Sequence, residues 1–143
     1  MQFLLGSGFL LLSAFVHVAF VAACISHFRS LAGRTGWTLS FGKKLRVLST
    51  GVLVVLAAHT AHIWMWAAAL LAFGHMDGFG EAFYFSTTTY TTLGYGDIIL
   101  GPEGRIFASF AAVTGMLTFG ISAAFLVSIM TRLLSGDPRF PKN

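Results

Sequence analysis

The sequence predicts an all-α membrane protein of three transmembrane helices, with a short re-entrant helix and an extended return between the second and third. Three observations lead there. The 143 residues are 56% hydrophobic and only 10% charged, against about 25% charged residues in soluble domains. Three apolar runs, residues 3–27, 47–74 and 106–134, reach the roughly 20 residues that a span requires. Between the last two lies a polar stretch too short to cross, TTTYTTLGYGDIIL over residues 87–100.

The first run holds no Lys, Arg, Asp or Glu, and neither does the second, although it carries His59 and His62. The third is uncharged until Arg132. The single cysteine, Cys24, excludes an intrachain disulfide. VAAC (Val21 to Cys24) resembles a lipoprotein processing site, but no Lys or Arg precedes the apolar run as a signal peptide requires. Cys24 is therefore expected to be a buried thiol in a helix.

The charges give the topology. The formal net charge of +4 reads as an orientation signal, with no implication of nucleic-acid binding. Arg29, Arg34, Lys43, Lys44 and Arg46 lie between the first two runs, and Arg132, Arg139 and Lys142 follow the third. The segment between the second and third holds only Arg105, with Asp77, Glu81, Asp97 and Glu103. The positive-inside rule places the first loop and the C-terminal tail in the cytoplasm and the N-terminus outside. The plasma membrane, or the inner membrane of a bacterium, is the expected site.

The stretch from His75 to Arg105 then lies on the outer side. Non-helical backbone at membrane depth is tolerated only where protein buries it or where it lines a watery cavity. A half-helix over EAFYFSTTTY, ending near Tyr90, followed by a return over TTLGYGD, meets that condition. Gly94 and Gly96 alternate with Leu93 and Tyr95, and glycine reaches positive φ at little cost. Successive carbonyls can then point one way and replace the water shell of a cation, with Thr92 adding a hydroxyl. The negative end of the half-helix dipole favours a cation below it.

TTLGYGD (Thr91 to Asp97) resembles the T-x-G-Y-G-D selectivity filter of potassium channels. The wider stretch FGEAFYFSTTTYTTLGYGDI, followed by GRIF, is similar to the pore loop of two-helix and tandem-pore members. The resemblance implies a pore domain over residues 47–134, with the second span as outer helix and the third as inner helix. It implies a homotetramer, since one chain supplies one filter strand. It also implies K⁺ held by Thr92, Leu93, Gly94, Tyr95 and Gly96 as a permeant ion, with no cofactor and no enzymatic activity. Thr88, Thr91, Tyr84 and Asp97 become filter supports. Three departures stand out: Thr88 occupies the place where some members have a Glu paired with the filter Asp, Tyr84 and Phe85 stand where Trp is common, and Leu93 replaces the commoner Val.

Outside the pore domain, residues 1–28 form an additional span, 29–46 a basic cytoplasmic loop and 135–143 a tail too short for a ligand-binding domain. The loop's first expected role is topology; the second is contact with anionic headgroups, worth about 1 kcal/mol per basic residue, with Trp37 suited to the interface. No run of Arg or Lys at three-residue spacing marks a voltage sensor. Gly115 and Gly120, halfway along the third span, are candidate hinges, or else glycines that let helices pack closely. His17 and His59 lie about equally deep, some 15–18 Å from the cytoplasmic ends, with His62 one turn above His59. The expected role is an interhelical hydrogen bond that holds the first helix on; a proton sensor or metal site is the alternative. Trp64 and Trp66 are expected to anchor the outer half of the second span. The competing functions are a less selective cation channel, a non-conducting accessory subunit and, remotely, a metalloenzyme built on HTAH (His59 to His62).

Overall fold

The computed structural model describes residues 1–35 and 39–135. These form four helices: α1 (Gln2–Thr35), α2 (Phe41–Ala72), α3 (Phe79–Tyr90) and α4 (Arg105–Ser135). Helices α1, α2 and α4 are long and apolar enough to span a membrane. At 12 residues, or about 18 Å, α3 is too short to do so. Trp37 and the tail beyond Ser135 lie outside the described residues.

The helices run past the apolar stretches that announce them. Helix α1 continues to Thr35 and α2 begins at Phe41, so most of the predicted basic loop is helical. Nothing in SHFRSLAGR breaks a helix, and the change from apolar to charged residues marks a change of solvent rather than of backbone. Helix α2 stops at Gly74, φ 67°. There the Gly74 amide donates to the Leu71 carbonyl and the His75 amide to that of Leu70, a pairing that satisfies the last carbonyls of the helix.

Helix α3 packs between α2 and α4, while α1 packs on α4 and α2 from the other side. Ser86 pins α3 to α2 by donating to the Ile63 carbonyl at 2.7 Å. The Gln2 side chain lies at the start of α4, where its Oε1 accepts the amides of Ile106 and Phe107 at 3.2 and 3.3 Å. Its Nε2 donates to the Pro102 carbonyl at 2.9 Å. A helix start leaves amides without internal partners, and here the first helix supplies the acceptor. The Gln2 end of α1 therefore shares a side with the segment that joins α3 to α4.

Three layers join α1 to the rest. Near Gln2, Phe9 meets Trp66, Phe73 and Phe107 at ring-centroid distances of 5.6, 5.9 and 5.6 Å. In the middle lie His17, His59 and His62. Toward the other end Cys24, Phe28, Val55, Phe125, Ile129 and Leu133 form an apolar cluster, with Cys24 buried as expected. Trp66 is 0% exposed and belongs to the aromatic core, not to an interfacial anchor. Its ring is surrounded because α1 covers the face of α2 that would otherwise meet lipid. Trp64 is half exposed and packs on Phe79 and Phe83 of α3.

Helix α4 is continuous through both Gly115 and Gly120. A Cβ at Gly115 would fall on the backbone carbonyl of Tyr90, whereas one at Gly120 would meet nothing within 4 Å. Gly115 is thus the point where the backbones of α3 and α4 touch. Gly115→Ala is expected to destabilise the protein by more than the roughly 1–3 kcal/mol of ordinary overpacking, because backbone cannot yield as a side chain does. Gly120→Ala is expected to be neutral or to stabilise by up to about 1 kcal/mol through helix propensity. Thermal unfolding followed by exposure of the buried Cys24 thiol to a fluorogenic reagent separates the two.

Candidate functional site: the end of α3 and its return

The last turn of α3 organises the return. The Thr91 amide donates to the Thr87 carbonyl at 3.1 Å and the Thr92 amide to that of Thr89 at 2.9 Å. The amides of Leu93 and Gly94 both donate to the Thr88 carbonyl, at 2.9 and 3.1 Å. Four successive amides therefore turn back onto the helix. Thr91 Oγ1 donates to the Thr87 carbonyl at 2.8 Å, and Thr88 Oγ1 to that of Phe85 at 3.1 Å.

From here the backbone alternates in sense. Thr92, Gly94 and Gly96 take positive φ, at 61°, 53° and 77°. The two glycines were anticipated; Thr92 was not, and a β-branched residue there is strained. Leu93 and Tyr95, which alternate with the glycines, are 55% and 67% exposed.

Asp97, the last residue of the return, accepts a hydrogen bond from the Tyr84 hydroxyl at 2.7 Å. Both residues were expected as supports, and the structure makes them partners. Tyr84 thereby ties the middle of α3 to the end of the return. Thr88 instead lends its carbonyl to the turn.

Beneath the return, Tyr90 is fully buried and hydrogen-bonded on both sides. Its hydroxyl lies 2.7 Å from Thr118 Oγ1 and 2.7 Å from His59 Nδ1. His59 Nε2 and His17 Nε2 both reach Ser122 Oγ, at 3.1 and 3.0 Å. His17 Nδ1 lies 3.4 Å from His62 Nε2, the longest and weakest contact of the series. His17 of α1 thus meets α2 directly at His62 and, through Ser122 of α4, also at His59, whose other nitrogen reaches Tyr90 of α3. Within the described residues no three His, Cys, Asp or Glu side chains are arranged to hold a metal ion. Tyr90, Thr118 and Ser122 were missed in the sequence. The available signal was Thr114, Thr118 and Ser122 at four-residue intervals, a polar line along one face of the middle of α4.

The Tyr84 phenol is held above its ordinary pKa, first by the bond it donates to Asp97 and then by burial and by the charge of that carboxylate. Stabilisation from this bond is complete below the ordinary phenol value of about 10 and is lost as pH rises through the raised one. Asp97→Asn should lower the Tyr84 titration toward the ordinary value in a phenolate absorbance titration, read against Tyr84→Phe. Unchanged titration would mean that the bond is not made in solution.

Residues 50–132 match the family model described as ion channel. Among characterised proteins the chain is 30% identical over 90 residues to the inward rectifier potassium channel Kirbac3.1 of Paramagnetospirillum magnetotacticum, covering 62% of this chain and 30% of that protein. It is 48% identical over 46 residues to potassium channel subfamily K member 4 of Mus musculus, covering 32% of this chain and 12% of that one. It is 48% identical over 52 residues to potassium channel subfamily K member 18 of Rattus norvegicus, covering 35% and 13%. The chain thus spans less than a third of the length of each of these relatives. No solved structure matches it significantly. The family match takes in α2 from Thr50, all of α3 and the return, and α4 as far as Arg132, and on it the chain belongs to the ion channel family.

Proposed function

We propose that the protein is a potassium-selective channel that conducts K⁺ passively through a pore built by four copies of the chain. Thr92, Leu93, Gly94, Tyr95 and Gly96 hold the permeant ion; α2 is the outer helix, α3 the pore helix and α4 the inner helix. The observation that carries this reading is the alternation of left-handed backbone at Thr92, Gly94 and Gly96, immediately after a turn whose amides are taken up by α3. With the amides of Thr91 to Gly94 taken up by α3, the carbonyls of the return are the groups offered to a dehydrated cation. The strain at Thr92 fits a backbone shaped by a ligand rather than by local preference.

The basic ends of α1 and α2 lie in the cytoplasm by their charge, with Gln2 and the return outside. Lys43, Lys44 and Arg46, in the first turns of α2, adjoin the headgroup layer and would attract anionic lipid. Of the two candidate hinges Gly120 is the freer to bend, since Gly115 is committed to contact with Tyr90.

The test is the reversal potential of purified protein in planar bilayers under a K⁺/Na⁺ gradient. The expected value lies near the K⁺ equilibrium potential. Gly94→Ala and Gly96→Ala, at φ values of 53° and 77° that a Cβ disfavours, are expected to abolish selectivity or current. Current reversing near zero in the unmodified protein would identify a non-selective cation channel. Silence together with capture of a second channel subunit would identify an accessory subunit.

A further inference from the structure

The buried contacts around Tyr90 have a direction. Thr118 Oγ1 lies 2.8 Å from the Thr114 carbonyl and 3.1 Å from that of Gly115. Two oxygens so close need a proton between them, so the Thr118 hydroxyl donates to its own helix. It can then only accept from Tyr90, and the Tyr90 hydroxyl, its one proton spent, accepts from His59 Nδ1–H. For neutral imidazoles, each with one donor and one acceptor nitrogen, the rest follows. His59 Nε2 accepts from the Ser122 hydroxyl, Ser122 accepts from His17 Nε2–H, and His17 Nδ1 accepts from His62 Nε2–H. The sequence ends at His62 Nδ1, a buried nitrogen with no partner within the described residues. It therefore runs one way, from His62 through α1 and α4 to the end of α3.

We propose that helix α1 is a positioning part of the pore: His17, through Ser122 and His59, fixes the hydroxyl of Tyr90 and with it the end of α3 from which residues 92–96 depart. This rests on the reading of those residues as the filter. Tyr90 is the last residue of α3, two positions before the strained Thr92, and its carbonyl abuts Gly115. Its ring is stacked against His62 at a centroid distance of 6.0 Å and lies 5.8 Å from Phe119. The titratable groups of this layer are His17 on α1, His59 and His62 on α2 and Tyr90 on α3; α4 contributes only the hydroxyls of Thr118 and Ser122. With no carboxylate or cation among them, hydrogen-bond direction alone sets the arrangement.

Two measurements test this. Solid-state NMR of ¹⁵N-histidine-labelled protein in lipid bilayers at neutral pH reads the tautomers without current. The expected pattern is a proton on Nδ1 of His59 and on Nε2 of His17 and His62, and a reversed or doubly protonated ring at any of the three overturns the proposal. In bilayer recordings Ser122→Ala, which removes the relay between His17 and His59, is expected to lower the K⁺/Na⁺ permeability ratio by about threefold to tenfold, the scale of one hydrogen bond. Ser122→Thr, which keeps the hydroxyl, is expected to restore it. Tyr90→Phe keeps the ring packing and is expected to match Ser122→Ala, so it decides should the latter fail to assemble. Wild-type ratios in the variants, with the expected tautomers present, would show that α1 is only attached to the pore. An unselective unmodified protein would defeat the filter reading itself, leaving the tautomer pattern to be judged alone.

Discussion

The approach of Gly115 to the Tyr90 carbonyl is the contact on which the remaining geometry depends. It is a backbone-to-backbone contact, available only where one helix has no side chain. By bringing α4 this close to the end of α3, it places Thr118, three residues along α4, under the Tyr90 hydroxyl. The opposite side of that hydroxyl then faces His59 of α2. Fixed at its last residue, α3 offers the Thr88 carbonyl to the Leu93 and Gly94 amides, and the return begins from a defined point. Lipid supplies no partners for backbone groups, so a return at membrane depth needs this kind of internal accounting.

The attachment of α1 can be divided between effects by their size. Apolar burial drives little in lipid, where acyl chains are as apolar as leucine. What remains is packing and polar contact. Phe9 makes three ring contacts with α2 and α4, each worth about 0.5–1.5 kcal/mol. Interhelical hydrogen bonds within membranes average only about 0.6 kcal/mol, and the contact of His17 with His62 is long. The aromatic layer therefore holds α1 in place more strongly than the histidines do. The histidines contribute direction instead, because each bond fixes the donor of the next. Gln2 adds a third kind of tie by capping α4.

Much of this was legible in the sequence because it follows from solvent and chain chemistry. Apolar length gave the three spans, and the half-helix ends at Tyr90 as its short polar run implied. Gly94 and Gly96 have the positive φ expected of them, and equal depth correctly brought His17 level with His59. The rest depended on information that pattern reading lacks. Thr92 takes a glycine-like φ that nothing in threonine suggests. Thr118 and Ser122 resemble ordinary membrane-helix hydroxyls bonded to their own backbone, and Thr118 does bond that way; its second role needs the partner's position. Trp66 lies two residues after Trp64 in sequence, yet only the packing of Phe9 of α1 and Phe107 of α4 around it makes one buried and the other half exposed. The pairing of Tyr84 with Asp97 spans the whole return and required the turn at Thr88 to be known.

The return itself shows why a single chain is half of an explanation. Leu93 and Tyr95 are large, apolar or aromatic, and more than half exposed, although the backbone that carries them is strained at Thr92 and bonded to α3 on its amide side. A segment with this much strain persists only where its surroundings over-determine it, and within the chain those surroundings cover one face. Symmetric copies about an axis along the return would supply the other in one step, since each copy would back its neighbour's Leu93 and Tyr95 while their carbonyls met at the centre. On the tetrameric reading the exposed side chains and the cation site are then one requirement: the rings that coordinate an ion close only when the surfaces behind them are covered.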